Sequence, residues 1–379
     1  MDFILSKEHQ MAQKLFHDFA EKEVKPIAHE IDEEERFPVE TVEKLKKYGF
    51  LGIPYPKEYG GQGAGFLSYA LAMEEISACC GTTGIIMSVH TSLCCGVLFN
   101  AGTEEQKQKY LRPLCDGTKL GAFGLTEPSA GTDAAGQQTK AVLEGNHYVL
   151  NGSKIFITNS GYADVYTVFA MTDKSQGTRG ISCFIIEKDF PGFKVGKHEL
   201  KMGIRGSAAC ELIFENCIVP KENLVGKEGR GFGIAMKALD GGRIGIAAQA
   251  LGLAKGALEE TITYVKERKQ FGKPLARLQN TQFTLADMAA RIEAARLLTY
   301  RAACAQDAGL PYTVEAATAK LIASETASWV TNRAVQMHGG YGYMREYNVE
   351  RMMRDAKITE IYEGTSEVQK MVISGALLK

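Results

Sequence analysis

Several widespread sequence signatures are missing from this chain of 379 residues. Neither Gly-x-Gly-x-x-Gly nor Gly-x-x-x-x-Gly-Lys-Ser/Thr occurs in it, which argues against a Rossmann dinucleotide-binding domain and against a P-loop. Charge of one sign is not in excess either, because the formal net charge is −1. This balance gives no indication of a surface that binds nucleic acid or an anionic membrane. We therefore expect neither of these partners.

Metal-binding cysteine patterns are also missing. The nine cysteines include the adjacent pairs Cys79-Cys80 and Cys94-Cys95, but there is no Cys-x-x-Cys and no His/Cys cluster with zinc spacing. Buried thiols in a reducing compartment are the plain interpretation. The first residues, Met-Asp-Phe-Ile-Leu, form neither a basic transit segment nor a signal-peptide apolar region. We expect no metal and a cytoplasmic location.

The longest run without formal charge covers residues 76–103. It contains nine Ser, Thr, His or Asn residues, among them His90, which is too much polarity for a helix that faces lipid. The run is interpreted as a helix buried inside a large protein, without membrane insertion. Because no metal partner stands at helical spacing, His90 is interpreted as a hydrogen-bonded core histidine.

Hydrophobic periodicity divides the chain into three domains and predicts an α+β fold. Residues 1–118 have helical spacing, residues 119–228 have the character of strands, and residues 229–379 return to helical spacing. Asn151-Gly152 predicts a hairpin turn. The predicted strands are residues 148–150, 154–158, 165–171, 181–186 and 210–219, and the predicted C-terminal helices are residues 243–268, 281–308, 314–338 and 367–377.

A candidate base lies near the C-terminus, in a Tyr-Glu-Gly-Thr sequence. Glu363 stands directly before Gly364, where the backbone turns freely and other atoms approach closely. The neighbours Ile358, Ile361 and Tyr362 predict partial desolvation, which raises the pKa of a carboxyl group towards that of a useful base. From this segment alone, a solvated acidic face or a helix N-cap remains the alternative.

Four further motifs precede this segment in order. They are LGAFGLTEPSAGTD at 120–133, LNGSKIFITN at 150–159, ERKQFGK at 267–273 and QMHGGYG at 336–342. Together with the Tyr-Glu-Gly-Thr segment they closely resemble the acyl-CoA dehydrogenase family, particularly its short-chain, butyryl-CoA branch. The resemblance covers essentially the whole chain. It implies an all-α N-terminal domain, a central β domain and a C-terminal four-helix-bundle domain.

The resemblance implies that FAD is bound, and it assigns residues of the β domain to the flavin. The family segments that line the isoalloxazine match Phe123, Leu125, Thr126, Thr132, Phe156, Ile157 and Thr158, of which Thr132 also lies at the start of the ligand channel. Many relatives carry Trp at the position of Phe156, so the aromatic face persists here without the indole donor. Taken alone, the two segments are an ordinary turn and strand, with solvated threonines.

The rest of the cofactor is assigned to the helical domain. Positions that match the family's clamp on the dinucleotide, part of it across a subunit boundary, are Arg268, Phe271, Gln279, Gln336, His338, Gly339, Gly340, Thr365 and Glu367. Arg268 offers a forked donor set that suits a pyrophosphate. Its alternative is a surface ion pair with Glu267 or Glu260. The glycine run 226–233 could also touch phosphate, but a loop that connects domains is the preferred interpretation.

The resemblance implies that Glu363 removes the α proton of an acyl-CoA thioester while flavin N5 accepts the β hydride. Asp240, Arg243 and Gly364 match positions on the substrate side, and an Asp240–Arg243 ion pair at the start of a helix is the alternative for Arg243. Isovaleryl- and long-chain relatives place their base at the position of Gly242, which carries no carboxylate here. Glu363 is therefore left as the base.

The expected function is oxidation of a short-chain acyl-CoA, with electron-transferring flavoprotein as the partner and a homotetramer as the assembly. Two alternatives stay open at this point. One is a flavin-dependent acyl-CoA oxidase on the same fold, and the other is a non-catalytic acyl-CoA-binding protein, against which the presence of Glu363 argues.

Overall fold

The structure is a computed structural model that describes residues 4–379. Helices form its N-terminal part, and the first of them begins where the Ser6 hydroxyl accepts a hydrogen bond from the His9 N–H at 3.2 Å. These helices are α1 (Lys7–Phe19), α2 (Ala28–Glu33), α3 (Val39–Lys47), α4 (Gly65–Cys79), α5 (Gly81–Ser88), α6 (Gly96–Ala101), α7 (Glu104–Gln106) and α8 (Arg112–Cys115).

The uncharged run is not one helix, because Cys80 is extended and separates α4 from α5. From Gly81 to Ala101 the backbone stays helical, and 94% of its most apolar stretch is buried inside the protein. The segment is thus a core helix. His90 within it accepts a hydrogen bond from the Gly121 N–H at 2.9 Å, and burial lowers its pKa to about 3. The prediction of a hydrogen-bonded core histidine is confirmed.

The middle of the chain forms an eight-stranded sheet in the order β6-β7-β3-β2-β4-β5-β8, in which β1 pairs in parallel with β4. The strands are β1 (Gly121–Gly124), β2 (Lys140–Glu144), β3 (His147–Thr158), β4 (Val165–Met171), β5 (Ile181–Glu187), β6 (Phe193–His198), β7 (Ala209–Pro220) and β8 (Leu224–Val225). Strands β4 and β5 are buried along almost their whole length, which explains why their continuous apolar sequences predicted them well.

The hairpin predicted at Asn151-Gly152 is wrong. Both residues lie inside β3, at a bulge in its pairing with β7. The turn is instead made by Gly145 and Asn146 between β2 and β3, where Gly145 has φ of +63°. Gly152 is needed for a different reason, since a Cβ there would lie 2.6 Å from Thr139 Oγ1. An Asn-Gly pair therefore marked a close approach of backbones here, and not a reversal of the chain.

Long helices return in the C-terminal part. They are α9 (Gly231–Glu267), α10 (Gln279–Asp307), α11 (Thr313–His338), α12 (Asn348–Ile358) and α13 (Ser366–Leu377), with a small ribbon of β9 (Lys269–Gln270) and β10 (Lys273–Pro274) between α9 and α10. Helix α11 packs against α9, α10, α12 and α13. The predicted α+β class is confirmed. The division at residues 118/119 and 228/229 stays a prediction.

The sequence analysis missed two features of this part. Helix α9 begins twelve residues before the predicted start at 243, because its glycines lower helix propensity while they allow close packing. A Cβ at Gly252, for example, would collide with backbone of α4 at Glu74. Helix α12 was not predicted at all. Its many charged residues made a buried helix hard to recognise in the sequence. In the fold these charges form ion pairs within the protein, such as the pair of Arg354 with Asp32 at 2.5 Å.

Candidate active site

Glu363 and Gly364 form the short turn between α12 and α13. Their φ angles are +50° and +94°, both in the left-handed region. Gly364 takes this conformation without strain, whereas Glu363 takes it at a cost. Because α12 ends at Ile358 and the Ser366 N–H donates to the Glu360 carbonyl at 3.0 Å, the chain reverses sharply here. The reversal turns the Glu363 side chain towards α9.

The Glu363 carboxylate is buried against α9. A Cβ added to Gly242 would overlap its Oε2 atom and would lie 2.7 Å from Leu93. Among the described residues neither carboxylate oxygen has a hydrogen-bond partner. Burial raises the pKa of Glu363 to about 8, although the charges of Lys320 and Arg243 act to lower it. A carboxylate of this kind is an effective proton acceptor near neutral pH.

The predicted source of this desolvation needs a correction. Ile361 is 49% exposed, so it is not part of a closed apolar environment. Tyr362 and Ile358 do pack inward, and the Tyr362 hydroxyl donates to Gln249. The tight cover over Glu363 comes mainly from α9, at Gly242, which is distant in the sequence.

Arg243 lies beside this carboxylate and is itself 5% exposed. Its Nη1 atom donates to Asp240 at 2.7 Å, so the ion pair considered as an alternative is present. Asp240 also accepts a hydrogen bond from the Thr313 hydroxyl at 2.7 Å, and burial raises the pKa of Asp240. The buried Nε atom of Arg243 has no partner among residues 4–379. One donor of this guanidinium is therefore left without an acceptor within residues 4–379.

The first of the two segments assigned to the flavin begins in β1 and continues beyond its end. Phe123 and Leu125 are buried, and the Phe123 ring packs on Phe169 at 5.2 Å, so these two side chains belong to the core and leave only backbone for a ligand. Thr126 and Thr132 are more exposed, and their hydroxyls form no hydrogen bond within the described part of the chain. Both hydroxyls are free to contact a cofactor.

The second flavin segment ends β3, where the pairing with β7 is irregular between Lys154 and Ile157. At this bulge Phe156 has φ of +60° and its ring is 61% exposed, while Ile157 is buried. Thr158 returns to the ladder opposite Ala209 and its side chain stays half-buried. The bulge interrupts the regular alternation of inward and outward side chains along β3, and it leaves the ring of Phe156 facing outward.

A cavity of about 510 Å³ brings together most of the predicted dinucleotide clamp. Its lining includes Arg268, Gln336, His338, Gly339 and Gly340. A Cβ at either of the two glycines would meet nothing within 4 Å, so the backbone there is open to a ligand.

The polar groups of this cavity are positioned by aromatic rings. His338 stacks on Tyr264 at 4.2 Å, and its Nδ1 atom lies 2.8 Å from the Ala334 carbonyl. Nδ1 therefore carries the proton in the neutral ring, which leaves Nε2 as an acceptor. The Arg268 guanidinium lies 5.3 Å from the centre of the Tyr341 ring, and no ion pair with Glu267 or Glu260 forms within the described residues. Arg268 is thus available to an anionic ligand.

Other predicted positions are not gathered into this cavity. Phe271 is 88% exposed, with φ of +52°, in the turn between β9 and β10, and Gln279 is exposed at the first residue of α10. The Thr365 hydroxyl caps α13 by accepting from the Val368 N–H at 3.3 Å, and Glu367 is in the first turn of the same helix. Within one chain, these four residues contact no common site.

Three buried side chains of the site region escaped the sequence analysis. Lys320 and Gln369 both donate to the Gly364 carbonyl, at 2.6 and 2.8 Å. Lys154 donates to Glu127 at 2.7 Å and to Gln137 at 2.8 Å, and so ties the two flavin segments together. A lone lysine in the alanine-rich sequence of α11 was the available signal for Lys320.

Comparison with known proteins places this geometry in a family. The sequence profiles of the acyl-CoA dehydrogenase N-terminal, middle and C-terminal domains match residues 6–118, 122–217 and 229–378. The chain belongs to the acyl-CoA dehydrogenase family. Its resemblance to that family, predicted from five motifs, is confirmed.

Similar members of the acyl-CoA dehydrogenase family cover the whole chain. A short-chain specific acyl-CoA dehydrogenase from Clostridium acetobutylicum is 63% identical over 379 residues, all of both chains. Butyryl-CoA dehydrogenase from Megasphaera elsdenii has a structure with a TM-score of 0.98 and 54% identity over all of both chains. A chain solved in work on the electron transferring flavoprotein of Acidaminococcus fermentans and electron bifurcation has a TM-score of 0.99 and 57% identity, again over both full chains.

Proposed function

We propose that this protein is an FAD-dependent short-chain acyl-CoA dehydrogenase that passes electrons to electron-transferring flavoprotein. The observation that carries the proposal is the Glu363 carboxylate, which is buried, has no partner among the described residues and has a pKa raised to about 8. A buried acid without a structural partner costs stability, so its presence indicates a chemical role.

The residues present fit FAD. Arg268, the Nε2 atom of His338 and the open backbone at Gly339 and Gly340 suit an anionic dinucleotide in the cavity of about 510 Å³. The exposed face of Phe156 and the free hydroxyl of Thr126 suit the flavin end. We further propose that Phe123, Leu125, Thr132, Ile157, Thr158, Gln336, Thr365 and Glu367 complete this binding site.

In the reaction, Glu363 accepts the α proton of the thioester, and its burial excludes water from the proton transfer. Bound FAD supplies the acceptor for the β hydride. The Glu363 backbone N–H donates to no acceptor among residues 4–379, so it is free to hold the thioester oxygen as negative charge develops there. Arg243, held by Asp240, keeps positive charge near the base. Gly364 lets the substrate approach the turn closely.

Assembly and location are part of the proposal. Phe271 and Gln279 are exposed and do not line the cavity within the described part of the chain, and we propose that they lie against the cofactor of a neighbouring subunit in a homotetramer. Exposed apolar side chains on α10 and α13, such as Phe283 at 62% and Met371 at 67%, are available for burial between subunits. A cytoplasmic location agrees with eight buried, unpaired cysteines. A monomer that retains FAD fully in sedimentation velocity would contradict the tetramer.

An anaerobic titration tests the function. Acyl-CoA esters of increasing length are added to the purified yellow protein while flavin absorbance is followed. We expect stoichiometric bleaching, fastest around butyryl-CoA, and reoxidation that is much faster with electron-transferring flavoprotein than with oxygen. Fast reoxidation by oxygen would indicate an oxidase, and a protein without flavin would indicate an acyl-CoA-binding protein.

A further inference from the structure

Two buried side chains outside the proposed reaction hold the turn that carries Glu363. Lys320 Nζ, on α11, donates to the Gly364 carbonyl oxygen at 2.6 Å, and Gln369 Nε2, on α13, donates to the same oxygen at 2.8 Å. Both residues are completely buried. A carbonyl oxygen has two lone pairs, and here both are used. The peptide after Gly364 therefore cannot rotate without the loss of two buried hydrogen bonds.

This anchoring matters because Glu363 has an unfavourable backbone conformation. Its φ of +50° is in the left-handed region, which is unfavourable for a residue other than glycine. Such a conformation persists only where the surroundings enforce it. If the Gly364 carbonyl were released, the turn could relax and the Glu363 carboxylate would leave its place against Gly242.

Lys320 also brings a charge. It forms no ion pair within 4.0 Å in the described part of the chain, yet of the two cations that favour the ionised form of Glu363 it has the larger effect, ahead of Arg243. Burial lowers the pKa of Lys320 to about 8, and Arg243 on α9 acts in the same direction, while Glu363, Glu360 and Glu367 favour its charged form. The positive charge of Arg243 is shared with Asp240, whereas that of Lys320 is not.

We propose that Lys320 is a positioning residue for the base: it locks the Glu363–Gly364 turn through the Gly364 carbonyl, and it places a buried positive charge beside that turn. The proposal rests on the proposed function, because it takes Glu363 as the proton acceptor. Lys320 itself does not touch the reacting atoms.

The test compares three holoprotein variants. Lys320→Met removes the hydrogen bond and the charge, Gln369→Met removes one hydrogen bond to the same oxygen without a change of charge, and Lys320→Arg keeps the charge. The first readout is the rate of flavin reduction by butyryl-CoA as a function of pH. The second is hydrogen–deuterium exchange of the amides in residues 359–369.

For Lys320→Met we expect the reduction rate at pH 7 to fall by about 10²-fold, the size of effect that misplacement of a reacting group produces, with KM within about threefold. The pH at which the rate rises should move upward by about one unit or more, since a neighbouring positive charge is lost. Exchange in residues 359–369 should become faster. Gln369→Met should lower the rate and speed exchange with no shift in pH, and Lys320→Arg should keep the wild-type pH profile.

A wild-type rate and pH profile in Lys320→Met would overturn the proposal. So would a slower rate with neither a pH shift nor faster local exchange, because that pattern indicates a general packing defect. If Lys320→Met does not retain FAD, Lys320→Gln tests the charge alone: it keeps a donor and loses the charge, so the upward shift in pH is still expected. Failure of the proposed function is distinguishable: it shows as unsubstituted protein that butyryl-CoA does not bleach.

Discussion

Gly242 on α9 and the carboxylate of Glu363, in the turn before α13, are in direct contact: a Cβ added to Gly242 would overlap that carboxylate. The two positions are 121 residues apart in the sequence. In this family the catalytic carboxylate can come from the position of Gly242 or from that of Glu363. The glycine at position 242 leaves room here for the Glu363 carboxylate. This relationship gives the first prediction.

Gly242→Ala should displace the Glu363 carboxylate and lower the rate of flavin reduction by butyryl-CoA at least tenfold, because a shift of about 1 Å in a reacting group can cost about 10²-fold. Gly241→Ala is the matched control. A Cβ at Gly241 has its nearest neighbours at 3.8 Å, so this variant should keep its rate. Stopped-flow absorbance of the flavin measures both, and equal rates would refute the assigned position of the carboxylate.

Glu363→Gln is nearly isosteric and should keep the fold, FAD and acyl-CoA binding. The amide has no basic lone pair near neutral pH, so the α proton has no acceptor. Because proton and hydride leave together or nearly so, bleaching by butyryl-CoA should fall by more than the roughly 10²–10⁴ typical of general base catalysis, and the protein should stay yellow. Glu360→Gln, which removes a carboxylate that pairs with Lys357, is the control. Reduction of Glu363→Gln at a near wild-type rate would exclude Glu363 as the base.

The raised pKa of Glu363 predicts a dependence of activity on pH. The base must be ionised, so the rate of flavin reduction by limiting substrate should rise as pH increases through about 8. Rapid-mixing experiments at substrate concentrations well below saturation measure this rate at each pH. A flat profile between pH 6 and 9 would mean that the carboxyl group titrates far from the value that its burial produces.

The raised pKa of Glu363 also makes the stability of the folded protein depend on pH. The pKa of Glu363 is higher in the folded protein, at about 8, than its ordinary value of 4.5. The contribution of Glu363 to the free energy of unfolding is therefore fully present below pH 4.5 and is lost as pH rises through about 8. Glu363→Gln cannot ionise and should gain in Tm relative to wild type as pH rises from about 5 to 9. Thermal denaturation of both proteins at several pH values measures this difference in Tm.

The buried Lys154–Glu127 pair should support the flavin segments. Lys154 is completely buried and donates to Glu127, Gln137 and the Leu125 carbonyl. Lys154→Met leaves a buried carboxylate without its cation and should destabilise the protein by about 3–5 kcal/mol, with loss of FAD. Lys194→Met, which breaks the exposed pair with Glu215, should cost about 1 kcal/mol or less. Denaturant unfolding and the flavin-to-protein absorbance ratio measure the two effects.

Arg268→Lys tests the cavity assigned to the dinucleotide. Lysine keeps the charge but loses the planar fork of donors, so FAD affinity should fall about tenfold or more. Lys269→Met, on the adjacent exposed residue of β9, should leave affinity unchanged. Reconstitution of apoprotein with FAD, followed by protein fluorescence, gives both constants. Equal affinities in wild type and Arg268→Lys would show that this guanidinium does not bind the cofactor.

The amino-acid sequence by itself determined the family, the order of helical and β regions, and Glu363 as the candidate base. Each of these rests on local information, such as apolar periodicity in β4 and β5 or a motif of four residues. The sequence predicted helix ends and turns less well where a residue contacts a part of the protein that is distant in the sequence. Gly152 predicted a turn but allows an approach to Thr139, and the glycines of α9 obscured a helix that packs closely on α4.

Only the tertiary structure decided the environment of the base. Gly242 on α9, Lys320 on α11 and Gln369 on α13 meet the Glu363–Gly364 turn because helices far apart in the sequence pack around it. Burial and the positions of neighbouring charges set the pKa of a carboxyl group, and both are properties of three-dimensional contact. For that reason, the sequence could name the carboxylate, but only the fold could show that it is buried without a hydrogen-bond partner among residues 4–379 and that its turn is anchored by a buried lysine.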